Sequence, residues 1–337
     1  MLLQDLLQSE SLTTAAPRLR RGAAVYAPTF FAPYVLAGLI AAEGGGRLVV
    51  APDAEAAAAL AAELAVYLER EVPVLPARGV LYGADVAPAP HVVGQRQQAL
   101  AALGAGGVVV ADAVAALERF LPLDLQPEPL RLVVGEETPF DLTVERLVAL
   151  GYGRVEQVRG RGEFAVRGGL VDVYPSIGEP LRVEFWGDEV ERLRTFSVYS
   201  QRTAAEVAEA TAYAAFEADT AGDDFQGAVR QVEAAWEEEG RDETPDDSVR
   251  RAEVRALAGL AGRFTTLAEC AAAAGVSLIV LRPDETWRVL ADFAAEVDLV
   301  FGPATRDRGV AGAGDATGRR CRCRRFHAEP GLSSRAR

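Results

Sequence analysis

"GEFAVRGGLVDVYP" (162–175) and "LRVEFWGDEVERL" (181–193) carry the strand pattern on which the fold reading rests. Successive side chains of a strand point to opposite faces. Phe164 and Val166 then share one face with Val171 and Val173, and with Leu181, Val183 and Phe185. Glu163, Ala165 and Arg167 lie opposite, as do Arg182, Glu184 and Trp186. Gly168-Gly169 and Gly187-Asp188 supply the bends between strands. The segment reads as a sheet with one core face and one polar face. Arg167 stands at a strand end, and Trp186 falls beside arginines on the polar side. Exposed Trp and Arg are enriched at interface hot spots. A half-buried Trp covered by arginine stems, a cation–π surface pair, fits the parity equally well.

Working outward, residues 1–135 alternate short apolar runs with helical patterns. "AAVYAP" (23–28), "RLVVAP" (47–52), "VPVLP" (72–76) and "GVVVAD" (107–112) read as strands. Helices are expected at 31–42, 54–70, 94–103 and 113–120. Such alternation predicts βαβ units and a mainly parallel sheet. The pattern changes near Pro127–Thr138 to a β-rich one. "DLTVERLVALGYG" (141–153) reads as a short helix, with Asp141 as cap and Gly151 as stop. Past Thr203 the chain turns helical and acidic: residues 204–250 hold 14 Asp/Glu against 3 Arg. "WEEEGRDETPDDS" (236–248) reads as a solvated linker or an interhelical loop. Helices at 249–260, 266–274 and 284–295 and the strand "VSLIVL" (276–281) return to an α/β pattern.

Composition narrows the function classes. All 35 basic residues are arginine; the 337-residue chain has no lysine. A P-loop needs a lysine at the β/γ-phosphates, and Schiff-base chemistry needs one too. The turn "APTFFAP" (27–33) has no glycine and no Gly-Lys-Ser/Thr, while the glycines of "AEGGGR" (42–47) precede a strand. The α/β layer therefore reads as a scaffold without an ATP site. His91 and His327 are the only histidines, so no catalytic centre, cofactor or metal site is assigned. The net charge of −14 speaks against a general DNA-binding surface, although residues 151–203 hold 8 charges of each sign. No apolar run reaches the roughly 18–20 residues of a membrane span, and the first residues lack a signal pattern; a cytoplasmic protein is expected. Cys270, Cys321 and Cys323 do not make a disulfide framework. The stretch from 303 onward has no apolar period. Cys321 and Cys323 with His327 fall short of a four-ligand zinc pattern, so this stretch reads as a disordered or out-of-frame tail. Glu189 and Glu191 read as solvated strand residues, and "SQRT" (200–203) either binds an anion or closes the domain.

"GYGRVEQVRGRGEFAVRGGLVDVYPSIGEPLRVEFWGDEVERLRTFSVYSQRT" (151–203) resembles the UvrB-homology module of the bacterial transcription-repair coupling factors (the Mfd family). The family pattern has G-Y-x-R, R-G-E-F/Y-x-x-R-G, apolar-D-apolar-F/Y-P, R-apolar-E/D-F, D-E-apolar and S-Q-R-T/S. "VLPARGVLYGADVAPAPHVVGQRQQALAAL" (74–103) resembles a further family segment, with Leu81-Tyr82 lacking the usual intervening proline. The resemblance covers about 20–220 and fades beyond.

The resemblance implies an α/β fold: a degenerate RecA/UvrB-like parallel-sheet domain with an inserted β-rich (α+β) UvrA-binding domain. Expected boundaries are 1–125 for the first domain, 126–210 for the β-rich domain, 211–302 for a helical α/β domain and 303–337 for the tail. By motif position, the resemblance implies that Arg167, Arg182 and Trp186 contact UvrA. The implied function is a non-enzymatic adaptor of transcription-coupled nucleotide excision repair. Direct DNA binding by the arginine-rich sheet is the alternative, and a cryptic UvrB-type ATPase a third. UvrA is the implied partner, with the translocase and RNA polymerase-binding remainder of family proteins as a second; DNA is engaged only indirectly and no membrane is involved. The family's motor motifs are not found, so the chain is read as an N-terminal fragment or as one whose frame breaks near residue 301.

Overall fold

The computed structural model describes residues 29–80, 88–217 and 264–301. The strand expected at 23–28, the helix at 249–260, the acidic stretch at 236–248 and the tail from 303 lie outside these residues. In chain order the elements are α1 (Ala32–Glu43), β1 (Arg47–Ala51), α2 (Ala54–Leu68), β2 (Val74–Leu75), α3 (Pro90–Gly104), β3 (Val108–Asp112), α4 (Ala113–Leu117) and β4 (Arg119–Phe120). Then come β5 (Leu130–Val133), α5 (Phe140–Ala149), β6 (Gly153–Arg154), β7 (Glu163–Arg167), β8 (Leu170–Tyr174), β9 (Leu181–Trp186), β10 (Glu189–Phe196), β11 (Thr203–Glu206) and β12 (Glu209–Ala212). The last are β13 (Thr265–Thr266), α6 (Leu267–Ala273), β14 (Ser277–Val280) and α7 (Pro283–Phe301).

The architecture is mixed α/β. A four-stranded parallel sheet runs in the order β14-β1-β3-β2. Every residue of β1 and β3 is buried, as expected of strands covered on both faces. Val49 and Val110 meet Leu36, Ile40, Leu60 and Leu64 from α1 and α2 on one side. Leu48 and Val109 meet Leu100, Leu103, Leu267 and Cys270 from α3 and α6 on the other. Helix starts follow local chemistry. Asp53 accepts from the Ala56 amide, and Asp112 from the Ala115 amide while its other oxygen takes the Ala77 amide. Strand β14, expected at 276–281, pairs with β1 from Arg47↔Ser277 to Val50↔Val280.

The β-rich unit is a six-stranded sheet, β11-β10-β9-β8-β7-β6, antiparallel but for the β6–β7 edge. Its hairpins close through two residues each: Arg167 pairs with Leu170 around Gly168-Gly169, and Trp186 with Glu189 around Gly187-Asp188. Gly168 and Gly187 take φ of 60° and 62°, which favours glycine there. The alternation puts Phe164, Val171, Val173, Leu181, Val183 and Phe185 into one core with Leu147 and Leu150 at the end of α5 and with β5. Asp141 was expected to cap this helix. It lies instead within the first turn, and the Phe140 amide is held by the Asp188 carboxylate from the hairpin turn at 3.2 Å. Gly151 ends the helix at φ 81°, where an added Cβ would meet the Phe216 ring at 2.6 Å.

The two units meet along α3. A Cβ on Gly94 would fall 2.4 Å from Ser176 Oγ, so the loop after β8 sits directly on the helix backbone. Ser176 also receives support from Tyr152, whose hydroxyl takes the Ser176 amide at 3.1 Å and donates to the Tyr213 carbonyl at 2.6 Å. Two residues along α3, buried Arg96 converges with buried Arg78 on Glu217, at 2.8 and 2.5 Å. Arg96 also bonds Glu118 at 2.6 Å, and Glu118 takes the Arg78 amide at 2.9 Å. Burial opposes ionisation of Glu217, but the two guanidinium groups outweigh it and hold its carboxyl below the ordinary range. Burial dominates at Glu118 and pushes its carboxyl up, Arg96 notwithstanding.

Candidate functional site

The face of the β-rich sheet opposite its core carries the three residues singled out in the sequence. Register places Arg167 beside Leu170, Leu170 beside Glu184, and Glu184 beside Arg192. Trp186 is two residues beyond Glu184 on β9, so it shares this face and this end of the sheet with Arg167. Arg182 is two residues the other way, in the row Ala165, Asp172, Arg182, Arg194.

Their environments differ. Trp186 is 78% exposed. Arg167 is exposed, and its guanidinium donates to the Glu156 carbonyl at 2.9 Å. Arg182 does not match the expectation of an open guanidinium. Its side chain is 16% exposed and grips Asp172 with two bonds, Nε to Oδ1 at 2.7 Å and Nη2 to Oδ2 at 2.8 Å. A third donor reaches the Gln201 carbonyl at 3.2 Å, and the group lies 5.0 Å from the Phe196 ring centroid. Donating to the Asp172 carboxylate pushes the Arg182 pKa further up. The physical reason for the burial is a second, small core on this face. Val158, Ala165 and Phe196 pack there with Val155, Tyr174 and Val198.

This cover is built by polar side chains that fold the loops back. Gln201, at φ 58°, donates to the carbonyls of Val198 at 2.8 Å and Val158 at 3.3 Å. The "SQRT" stretch thus closes the domain. Glu163 takes the amides of Arg159 and Gly160 at 2.7 and 2.8 Å. Arg161 ties the carbonyls of Pro175 and Gly178 and lies 4.6 Å from the Tyr174 ring centroid. What remains open is the Gly168/Gly187 end, with Arg167, Trp186 and Arg192, the last beside the Glu184–Arg194 ion pair. Sequence reasoning passed over Arg192 and Asp172, although alternation along β8 and β10 places both on the polar face. It also passed over Tyr199, 98% exposed in the turn at the opposite end.

This site presents no buried reactive group. It is a polar sheet surface with one large exposed indole and two guanidinium groups at one end. Among the described residues no cluster of His, Cys, Asp and Glu is placed to hold a metal ion, and no helix is long and apolar enough to cross a membrane.

Comparison with known proteins agrees with this geometry. Residues 130–217 match the UvrB interaction domain. The chain is similar to the transcription-repair-coupling factor of Mycobacterium bovis, 43% identical over 176 residues, which is 49% of this chain and 14% of that protein. The Myxococcus xanthus transcription-repair-coupling factor is 38% identical over 182 residues, 50% of this chain and 15% of the relative. That of Staphylococcus aureus is 34% identical over 117 residues, 34% and 10% of the two chains. The matched stretch therefore spans at most 15% of these relatives' length.

Proposed function

We propose that this chain, which carries a UvrB interaction domain within a region homologous to part of the Mfd proteins, is a non-catalytic adaptor of transcription-coupled nucleotide excision repair. In this reading it recruits UvrA through the outer face of the β-rich sheet. The observation that carries the reading is the 78%-exposed Trp186 sharing one sheet end with exposed Arg167. A largely exposed indole costs solvation in a free domain, and it is useful when a partner covers it. Arg167 supplies charge for carboxylates on the partner. Arg182 acts beneath them, holding β9 to β8 through Asp172 while keeping one edge toward the surface.

The test is a titration of UvrA with the chain and its Trp186→Ala and Arg167→Ala variants. Truncating a hot-spot residue costs about 2 kcal/mol or more, close to thirtyfold in affinity. Stability should stay within about 0.5 kcal/mol of the parent, as for other surface changes. Unaltered UvrA binding by both variants would overturn the reading. Salt-dependent binding of duplex DNA lost in the same variants would favour the DNA-binding alternative. Titration with ATP should give no heat, since the chain offers no lysine to a triphosphate. Micromolar nucleotide affinity would remove the non-catalytic part of the proposal.

A further inference from the structure

We propose that Glu217 is a pin that fixes the angle at which the β-rich unit is held on the α/β layer. Among the described residues, three contacts on or beside α3 join the units. Two are steric: a Cβ added to Gly94 would fall 2.4–2.9 Å from side-chain atoms of Ser176 and Ile177, and one added to Gly162 would fall 3.4 Å from the Pro90 ring. Contacts of that kind set a distance but leave a pivot. The third is directional. Glu217 follows Ala214 and Ala215, which belong to the β-rich core, and Phe216, which packs on Gly151. Its carboxylate is therefore part of the β-rich body, while both guanidinium groups it bridges belong to the α/β layer. Oε2 takes Arg78 Nε at 2.5 Å, and Oε1 takes Arg96 Nε at 2.8 Å.

Two charge-assisted bonds from one rigid carboxylate to two fixed donors define an orientation, because rotation of either body lengthens one bond or the other. The arginines are fixed in turn. Glu118 holds Arg96 Nη1 at 2.6 Å and the Arg78 amide, and the Pro76 carbonyl takes Arg96 Nη1 at 2.9 Å. Both arginine side chains are 1% exposed, so water does not compete for the bonds. The consequence for UvrA, that it is docked at a set angle to the α/β layer, rests on the adaptor reading above; the pin itself does not.

The experiment measures distance by double electron–electron resonance in the full chain. Spin labels are placed through Glu63→Cys on α2 and Glu191→Cys on β10, both exposed positions, with Cys321 and Cys323 replaced by serine. The parent should give one narrow distance. Glu217→Gln should at least double the width or add a second distance. Glu217→Asp, which keeps the charge but is too short to span both arginines, should do the same and serves as the deciding variant if Glu217→Gln loses amide-exchange protection in β7 to β10. Glu285→Gln breaks an ion pair within the α/β layer alone, with Arg282 at 2.9 Å, and should keep the narrow distance. A parent-like width in the folded Glu217 variants, or equal broadening by Glu285→Gln, overturns the proposal. UvrA titration runs in parallel, and Glu217→Gln should bind within about twofold of the parent. A parent that does not bind UvrA sinks the adaptor reading and leaves the distance result standing.

Discussion

Asp172 and Arg182 form a two-pronged ion pair across β8 and β9, on the sheet face that also carries the small second core of Val158, Ala165 and Phe196. Bonds of 2.7 and 2.8 Å lie in the plane where carboxylate and guanidinium match, and the Asp172 side chain is only 2% exposed. Removing Arg182 therefore strands a buried charge. Breaking a buried pair costs about 3–5 kcal/mol, and the partial exposure of Arg182 places the expected cost of Arg182→Ala at the low end, about 3 kcal/mol. Chemical denaturation of Arg182→Ala, Asp172→Asn and the double variant checks this. The double variant should be more stable than Arg182→Ala alone, and strict additivity would count against the pair. A loss of UvrA binding by Arg182→Ala is then read with its stability, not as a surface effect.

How much of this was legible in the sequence varies by residue. Period-two alternation placed Phe164, Val171, Val173, Val183 and Phe185 in the core, because each strand lies on one packed face. The same alternation put Arg182 on the opposite face, but it carries no information about what covers that face. The cover comes from Val155–Val158 and from Val198–Gln201, irregular segments held by side chain-to-carbonyl bonds rather than by a period. The pin at Glu217 was out of reach for another reason. Its partners Arg78 and Arg96 are 139 and 121 residues away, too far for any local pattern to pair them. The seat of the loop after β8 on Gly94 depends on how two units meet.

Gly94 should not tolerate even a methyl group. A Cβ there would stand 2.4 Å from Ser176 Oγ, 2.7 Å from its Cβ and 2.9 Å from Ile177 Cγ1. Alanine favours a helix interior over glycine by about 1 kcal/mol, yet overpacking typically costs about 1–3 kcal/mol. Gly94→Ala should lower the melting temperature, and Gly104→Ala on the same helix, with 3.8 Å of clearance, should not. A Gly94→Ala variant as stable as Gly104→Ala would mean that the loop after β8 yields freely.

Cys270 should be unreactive in the folded chain. Burial between α3, α6 and the sheet, assisted by the neighbouring Glu269 charge, pushes its thiol up to about 11. The thiolate is the reactive form, so at pH 8 little of it exists. With Cys321 and Cys323 replaced by serine, alkylation by iodoacetamide should follow unfolding. Mass spectrometry would find the native chain unlabelled after conditions that label it fully in denaturant. Rapid native labelling would show that this face of α6 opens on its own.

Thr266 and Glu269 cap α6 reciprocally, and this gives the helix a defined acid limit. The Glu269 amide donates to Thr266 Oγ1 at 3.2 Å, while the Glu269 carboxylate takes the Thr266 amide at 2.9 Å and the Thr265 hydroxyl at 2.6 Å. Thr266→Ala should cost about 1 kcal/mol, the usual loss for a side-chain cap. The Thr265 hydroxyl, then the Thr266 amide and hydroxyl, hold the Glu269 carboxyl below the ordinary range. A depressed folded pKa means that the unfolded chain binds this proton more readily. The contribution is therefore present in full above the ordinary carboxylate pKa of about 4.3 and is lost as pH falls through the lower, folded value. Glu269→Gln removes the titration, so the stability gap between it and the parent should be widest near neutrality and shrink toward pH 3. A gap that stays constant over that interval would show that Glu269 contributes to α6 by shape and not by charge.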